Sequence, residues 1–264
     1  DLSPASRRRS SRPAASATLH HPMLLALFLI DLAAGLYLFL ALVGRRNAGV
    51  KFYRLILITT GALALGAQLA HVQRLRPFED AAVVLTIVVY LTLRYPKRLI
   101  FRIPAALLGI VYIVAPVIAW RDAMHASILW SIAGALSSVA ILGSVTLAML
   151  LGHWYLVVRG MPIDPLKRLT FATLGATIVK IVVVTIAIAA GGAWYEVAVR
   201  QGIFFWMRAG WGLAGPLLLY PMVWGTVKIR STMAATGILY VDVVAVVIGE
   251  VLGAWLSAIV HLPV

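Results

Sequence analysis

Hydrophobic residues run through this chain in long unbroken stretches separated by short polar or basic segments. The stretches cover roughly residues 23–43, 55–72, 81–93, 99–120, 127–158, 169–190, 204–224 and 236–256. Most approach the roughly 20 residues that a helix needs to cross a hydrocarbon core about 30 Å thick. The run at 81–93 is short and is expected to begin nearer Pro77. Because the apolar runs are continuous and do not alternate with polar positions, a transmembrane β-barrel is excluded. The pattern predicts an all-α, polytopic transmembrane helix bundle of about eight spans with short loops.

Departures from uniform apolarity distinguish individual spans. In the second, Thr60, Ala64, Gln68 and His71 recur at helical spacing and form one polar stripe. The fifth carries Ser131, Gly134, Ser138, Gly143, Ser144 and Gly152, small residues suited to close helix contact in lipid. The seventh contains Gly210, Gly212, Gly215, Pro216 and Pro221 and is expected to kink or unwind, since each proline removes a backbone donor. Irregular backbone at membrane depth must face protein or a cavity. In the eighth, Gly249 and Gly253 form a GxxxG pair, read as a packing face.

Composition agrees: 62% of residues are hydrophobic and mean hydropathy is +0.97, against roughly 45–50% apolar residues in soluble domains. Residues 1–19 are rich in Ser, Pro, Ala and Arg and read as a disordered basic tail, with 20–264 as one transmembrane helical domain. The 23–43 segment is too long for a signal-peptide core and reads as the first span. The net charge of +14 lies mostly between spans, where it orients helices and attracts anionic lipid, so nucleic acid is not an expected partner. Arg45–Arg54, Arg94–Arg102, Arg159–Arg168 and Lys228–Arg230 are alternate loops and are expected to be cytoplasmic, with both termini outside; the Arg-rich tail opposes this. The expected location is a bacterial-type cytoplasmic membrane.

Candidate chemistry follows from polar groups that a bilayer makes costly. Asp31, Lys180, Asp242 and Glu250 fall inside spans, where an ionised side chain costs about 2.5–3.5 kcal/mol on insertion scales. They are candidates for a ligand or proton path, and Lys180 is expected to lie within salt-bridge or one-water reach of Asp31 or Asp242. Arg208, just inside the outer end of its span, either snorkels to headgroups or binds a carboxylate, a haem propionate or a partner. His153, Tyr155 and Tyr240 complete the set, His153 being placed to hydrogen-bond a quinone carbonyl or a headgroup. His71 and His125 share the outer side and are candidate haem ligands, whereas His153 lies most of a bilayer away.

Absent cysteine removes thiolate metal sites, iron–sulfur clusters and disulfides, and no metal site is predicted. No phosphate-binding loop, zinc-protease helix or nucleophile elbow is present, so no autonomous catalytic motif is identified. The expected role is an integral membrane subunit of a larger respiratory or electron-transfer complex, contacting quinone or haem b at the membrane interface. Two alternatives stand beside it: a small secondary transporter built on the broken seventh span and the mid-membrane charges, and a purely structural assembly subunit.

Overall fold

A computed structural model describes residues 14–158 and 160–264, with side chains from residue 22 onward. The described chain is all-helical, 86% helix and without strand. The helices are α1 (Ala14–Val43), α2 (Arg45–Gln68), α3 (Arg76–Thr92), α4 (Leu99–Met124), α5 (Ile128–Val157), α6 (Asp164–Ala190), α7 (Ile203–Met207), α8 (Gly215–Lys228) and α9 (Thr232–Val260). π-helical segments occupy Tyr195–Arg200 and Arg208–Ala214, the latter joining α7 to α8. The predicted tail lies outside the described residues up to residue 13, but 14–19 are the first turns of α1, where Ala14, Ala15 and Ala17 favour helix.

Six helices (α1, α2, α4, α5, α6 and α9) are long and apolar enough to cross a membrane. Helix α3, expected as a short span beginning near Pro77, starts at Arg76 with Pro77 in its first turn, and its 17 residues rise only about 25 Å. Ile58, Leu65, Leu91, Ile110, Val179, Leu218 and Val244 are all strongly exposed around the bundle. Water would penalise such a surface, whereas lipid accepts it. The chain is a multi-pass membrane protein.

Helix α5 is the axle of the bundle, with α1, α4, α6 and α9 packed around it. Its small residues make that arrangement feasible. Gly143 lies so close to Gly35 of α1 that a Cβ on either would come within 2.6 Å of the other's backbone. Gly134 accommodates the Trp120 ring and Gly152 the Thr236 side chain. The stripe on α2 is half interior: Thr60 and Ala64 are buried and Gln68 donates to Asp80 of α3. It stops there, because His71 lies beyond the helix in a left-handed turn (φ 53°).

The two ends of the bundle differ in charge. At one end, Val43, Phe52, Tyr155, Ile163, Val227 and Ala235 share a core cluster, bringing together three of the basic loops. The loop after α3 joins them where the Arg54 guanidinium lies over the Tyr90 ring. Among the described residues, the opposite end carries both Arg74, Arg76, Arg121 and Arg200 and Glu79, Asp80, Asp122 and Glu196, with Arg74–Asp122 and Arg200–Glu196 paired directly at 2.8 Å.

Candidate functional site

The segment Ile203–Lys228 is one helical rod with a π-helical centre. Its sequence explains the wide turn. Pro216 has no N–H for the carbonyl four residues back, and the Gly215 N–H reaches instead to Gly210 O, five residues earlier. Gly212 of this segment rests directly on Gly249 of α9, where a Cβ on either would lie 2.3–2.5 Å from the other's Cα. The two predicted features, broken span and GxxxG pair, are therefore two sides of one contact. π-turns inside α-helices recur at functional sites.

That contact makes room for Arg208. Its guanidinium lies among Gly212, Gly249 and Gly253, and a methyl group at any of the three would collide with it. Arg208 is 0% exposed and does not snorkel. Its Nη2 donates to Glu250 Oε1 at 2.8 Å. The other Glu250 oxygen accepts from Ser138 of α5 and lies 3.2 Å from Lys180 Nζ of α6. Lys180 also donates to Ser138 Oγ at 2.7 Å and sits over the Trp120 ring at 5.1 Å. Trp120 Nε1 donates to Asp31 Oδ2 at 2.8 Å.

The expected partner of Lys180 is thus corrected. Its direct partner is Glu250, and no ion pair joins it to Asp31 or Asp242 among the described residues; the Trp120 ring contacts both Lys180 and Asp31. Asp31 Oδ2 accepts from the indole N–H, Asp242 is buried without an ion pair to any described residue, and Oδ1 of each aspartate lacks a protein partner. At 1.5 Å per residue, Ser138, Lys180 and Glu250 all lie about 15 Å from the nearer helix ends, near the middle of a hydrocarbon core. Two cations face Glu250 directly, and with both carboxylates ionised Asp31 balances the set. Such a network is tolerated in low dielectric only when paired and hydrogen-bonded. Arg208 Nε and Nη1 are buried without a protein partner.

The other candidates separate into two places. His153 of α5 and Tyr240 of α9 converge near the basic end, with Tyr240 Oη 3.5 Å from His153 Nδ1 and both side chains exposed. Trp154, the next residue in the chain after His153, packs on Phe52 of α2 and buries an unpartnered indole N–H. Tyr155 points elsewhere and donates to the Pro162 carbonyl, fastening the α5–α6 loop. His71 and His125 share the opposite end, which Arg74–Asp122 ties together. The ring next to His125 belongs to His261, with centroids 6.4 Å apart, and His261 Nδ1 lies 2.6 Å from Met124 O. Among the described residues no group of three or more His, Cys, Asp or Glu is placed to hold a metal ion.

Two network members escaped the sequence reading. Ser138 figured there only as a small packing residue, and Trp120 only as the end of a span. Nothing local marks either, since both acquire their role from helices distant in sequence. Three larger grooves lie at the bundle's edges. They are lined by Tyr37, Tyr53 and Phe101 (about 250 Å³), by Ile58, Gly61 and Ile87 (about 400 Å³), and by Trp194, Phe205 and Leu213 (about 450 Å³). Asp31, Lys180, Arg208 and Glu250 line none of these three. No protein-family model, curated protein or solved structure matches the chain.

Proposed function

We propose that this protein is an integral membrane subunit of a larger electron-transfer complex, with about eight segments crossing the bilayer. Helix α3 and the α7–α8 rod join the six long helices as spans. Its ligand contact is a quinone headgroup at His153 and Tyr240. The observation that carries this reading is the convergence of an imidazole and a phenol from two helices near the basic end of the bundle. Both groups hydrogen-bond carbonyl oxygens, and a quinone tail fits the adjoining lipid. Reduction of a quinone consumes two electrons and two protons. The chain holds no cysteine for iron–sulfur chemistry, so partner subunits supply the electrons.

The buried network supports this reading over a transporter, because its charges are closed on one another and border none of the three larger grooves. The transporter alternative retains one favourable observation, the π-interrupted rod beside midplane charges. Lipid extraction and an absorption spectrum of the purified protein separate the readings. Stoichiometric quinone is expected, and a Soret band would assign haem b, with His71 and His125 as first candidates. Absence of both, with stabilisation by a small solute, favours the transporter. His153→Ala and Tyr240→Phe should lower quinone-linked turnover several-fold while shifting stability by less than about 0.5 kcal/mol, as both side chains are exposed. Unchanged turnover in both variants removes the site.

We further propose that the basic end is cytoplasmic, in a membrane of bacterial type. The cysteine-free chain allows single cysteines to be placed near Arg98 and near Asp122. An impermeant thiol reagent added to intact cells is expected to label the position near Asp122 and spare the one near Arg98. The reverse pattern inverts the orientation.

A further inference from the structure

Glu79 stands apart from every contact described so far. It occupies the first turn of α3, ahead of the apolar run 81–93, and is only 2% exposed. Both carboxyl oxygens are buried without a hydrogen-bond partner, and among the described residues no ion pair reaches it. It borders a small void of about 10 Å³, walled by Ile30, Ala33, Ala64, Ala82 and Ala115, with Tyr112 nearby. That volume is close to the minimum for one water molecule.

The charged neighbours are all engaged or turned outward. On α3 itself Arg76 is exposed, and Asp80 accepts from Gln68 of α2. Arg74, in the turn before α3, pairs with Asp122 at the end of α4, where Arg121 is exposed. Helix α4 otherwise offers the Tyr112 hydroxyl, which donates to Thr60 O at 3.4 Å, and α1 offers only apolar atoms. A sodium ion would need several oxygen ligands that this wall does not supply. An ionised, unpaired carboxylate in such a wall costs several kcal/mol, and the neutral acid avoids that cost.

From this geometry we propose that Glu79 is a proton-binding site, loaded from the end of the bundle opposite the basic loops. Loading transfers one proton from hydronium to a carboxylate oxygen: one O–H bond forms, one breaks, and a water molecule is released. Glu79 itself lies in the first turn of α3, within about one helical turn of that end, and the void beside it is close to the size of one water. This site is independent of the quinone contact at His153 and Tyr240, which lies near the other end.

Infrared difference spectroscopy of the purified full-length protein tests it. Wild type minus Glu79→Gln at neutral pH is expected to show one neutral carboxylic acid C=O band, which moves to lower frequency in D₂O as the proton exchanges. A missing carboxylate band in place of an acid band overturns the proposal. So does an acid band that does not move in D₂O, which would mark a sealed structural acid. Should Glu79→Gln fail to fold, Glu79→Met, which removes the unpartnered oxygens and suits the apolar wall, gives the same difference. In wild type alone, a hydrophobic carbodiimide, which adds to protonated carboxyls, should modify Glu79 and leave Glu250 unmodified. Modification of Glu250 in preference to Glu79 would count against the site.

Discussion

Replacing Glu250 with alanine is expected to be the most damaging single change in the buried network. It leaves Arg208 and Lys180, both 0% exposed, as two cations without the carboxylate that lies 2.8 and 3.2 Å from them. Breaking a buried ion pair by removing one partner costs about 3–5 kcal/mol, and here one deletion strands two partners. Glu250→Gln should also be severe, because an amide keeps the shape but supplies no charge. Lys180→Met and Arg208→Met are expected to be milder than either, since each leaves Glu250 paired with the remaining cation. Thermal unfolding midpoints and membrane yields of the four variants provide the ranking. If Glu250→Ala matches wild type, or Lys180→Met proves the worst, the carboxylate is not the hub. The one-to-one Lys–Asp pair expected from the sequence would have put Lys180→Met among the most harmful changes.

A second large effect is expected where backbones touch. Gly35→Ala or Gly143→Ala inserts a methyl group within 2.3–2.7 Å of main-chain atoms across the α1–α5 contact. Backbone cannot rotate aside as a side chain can, so the helices must separate. Overpacking of this kind costs typically about 1–3 kcal/mol. Gly212→Ala and Gly249→Ala should behave similarly and also displace the Arg208 guanidinium. Gly175, Gly225 and Gly237 provide controls within the helices, since nothing lies within 4 Å of a Cβ built on them. Alanine there should be neutral or slightly stabilising, as it restricts the unfolded chain. Equal loss of stability at Gly143 and Gly175 would mean that helix propensity, and not close approach, governs these positions.

The regularities that the sequence announces are local ones. The short α3 with Pro77 in its first turn and the interruption around Pro216 follow from backbone chemistry within a few residues. Small residues on α5 point to close packing for the same reason, as a missing side chain is visible in the sequence. What remains hidden is the partner. Gly143 does not reveal that it meets Gly35, nor Gly249 that it meets Gly212.

Charge shows the division most sharply. The apolar context alone determines that Asp31, Lys180, Asp242 and Glu250 must be buried in protein or water, because lipid would penalise each of them. The same rule holds for any pairing among them. Which pairs form depends on helix rotation and depth, set by ridges, glycine contacts and the π-turn at Arg208–Ala214. That turn and the glycine cradle bring Arg208 inward, so Glu250 acquires two cations while Asp31 is left to the Trp120 indole. Glu79 is the converse case. Beside Asp80 and next to Arg76 and Pro77 it reads as one more charge at a span's end, and only the packing of α1, α2 and α4 over α3 encloses it. Hydrophobic patterning therefore determined the class of fold and which groups water or protein must shelter. The tertiary structure alone decided which atoms meet, since ion pairs and close contacts depend on ångström-scale registry between segments far apart in the chain.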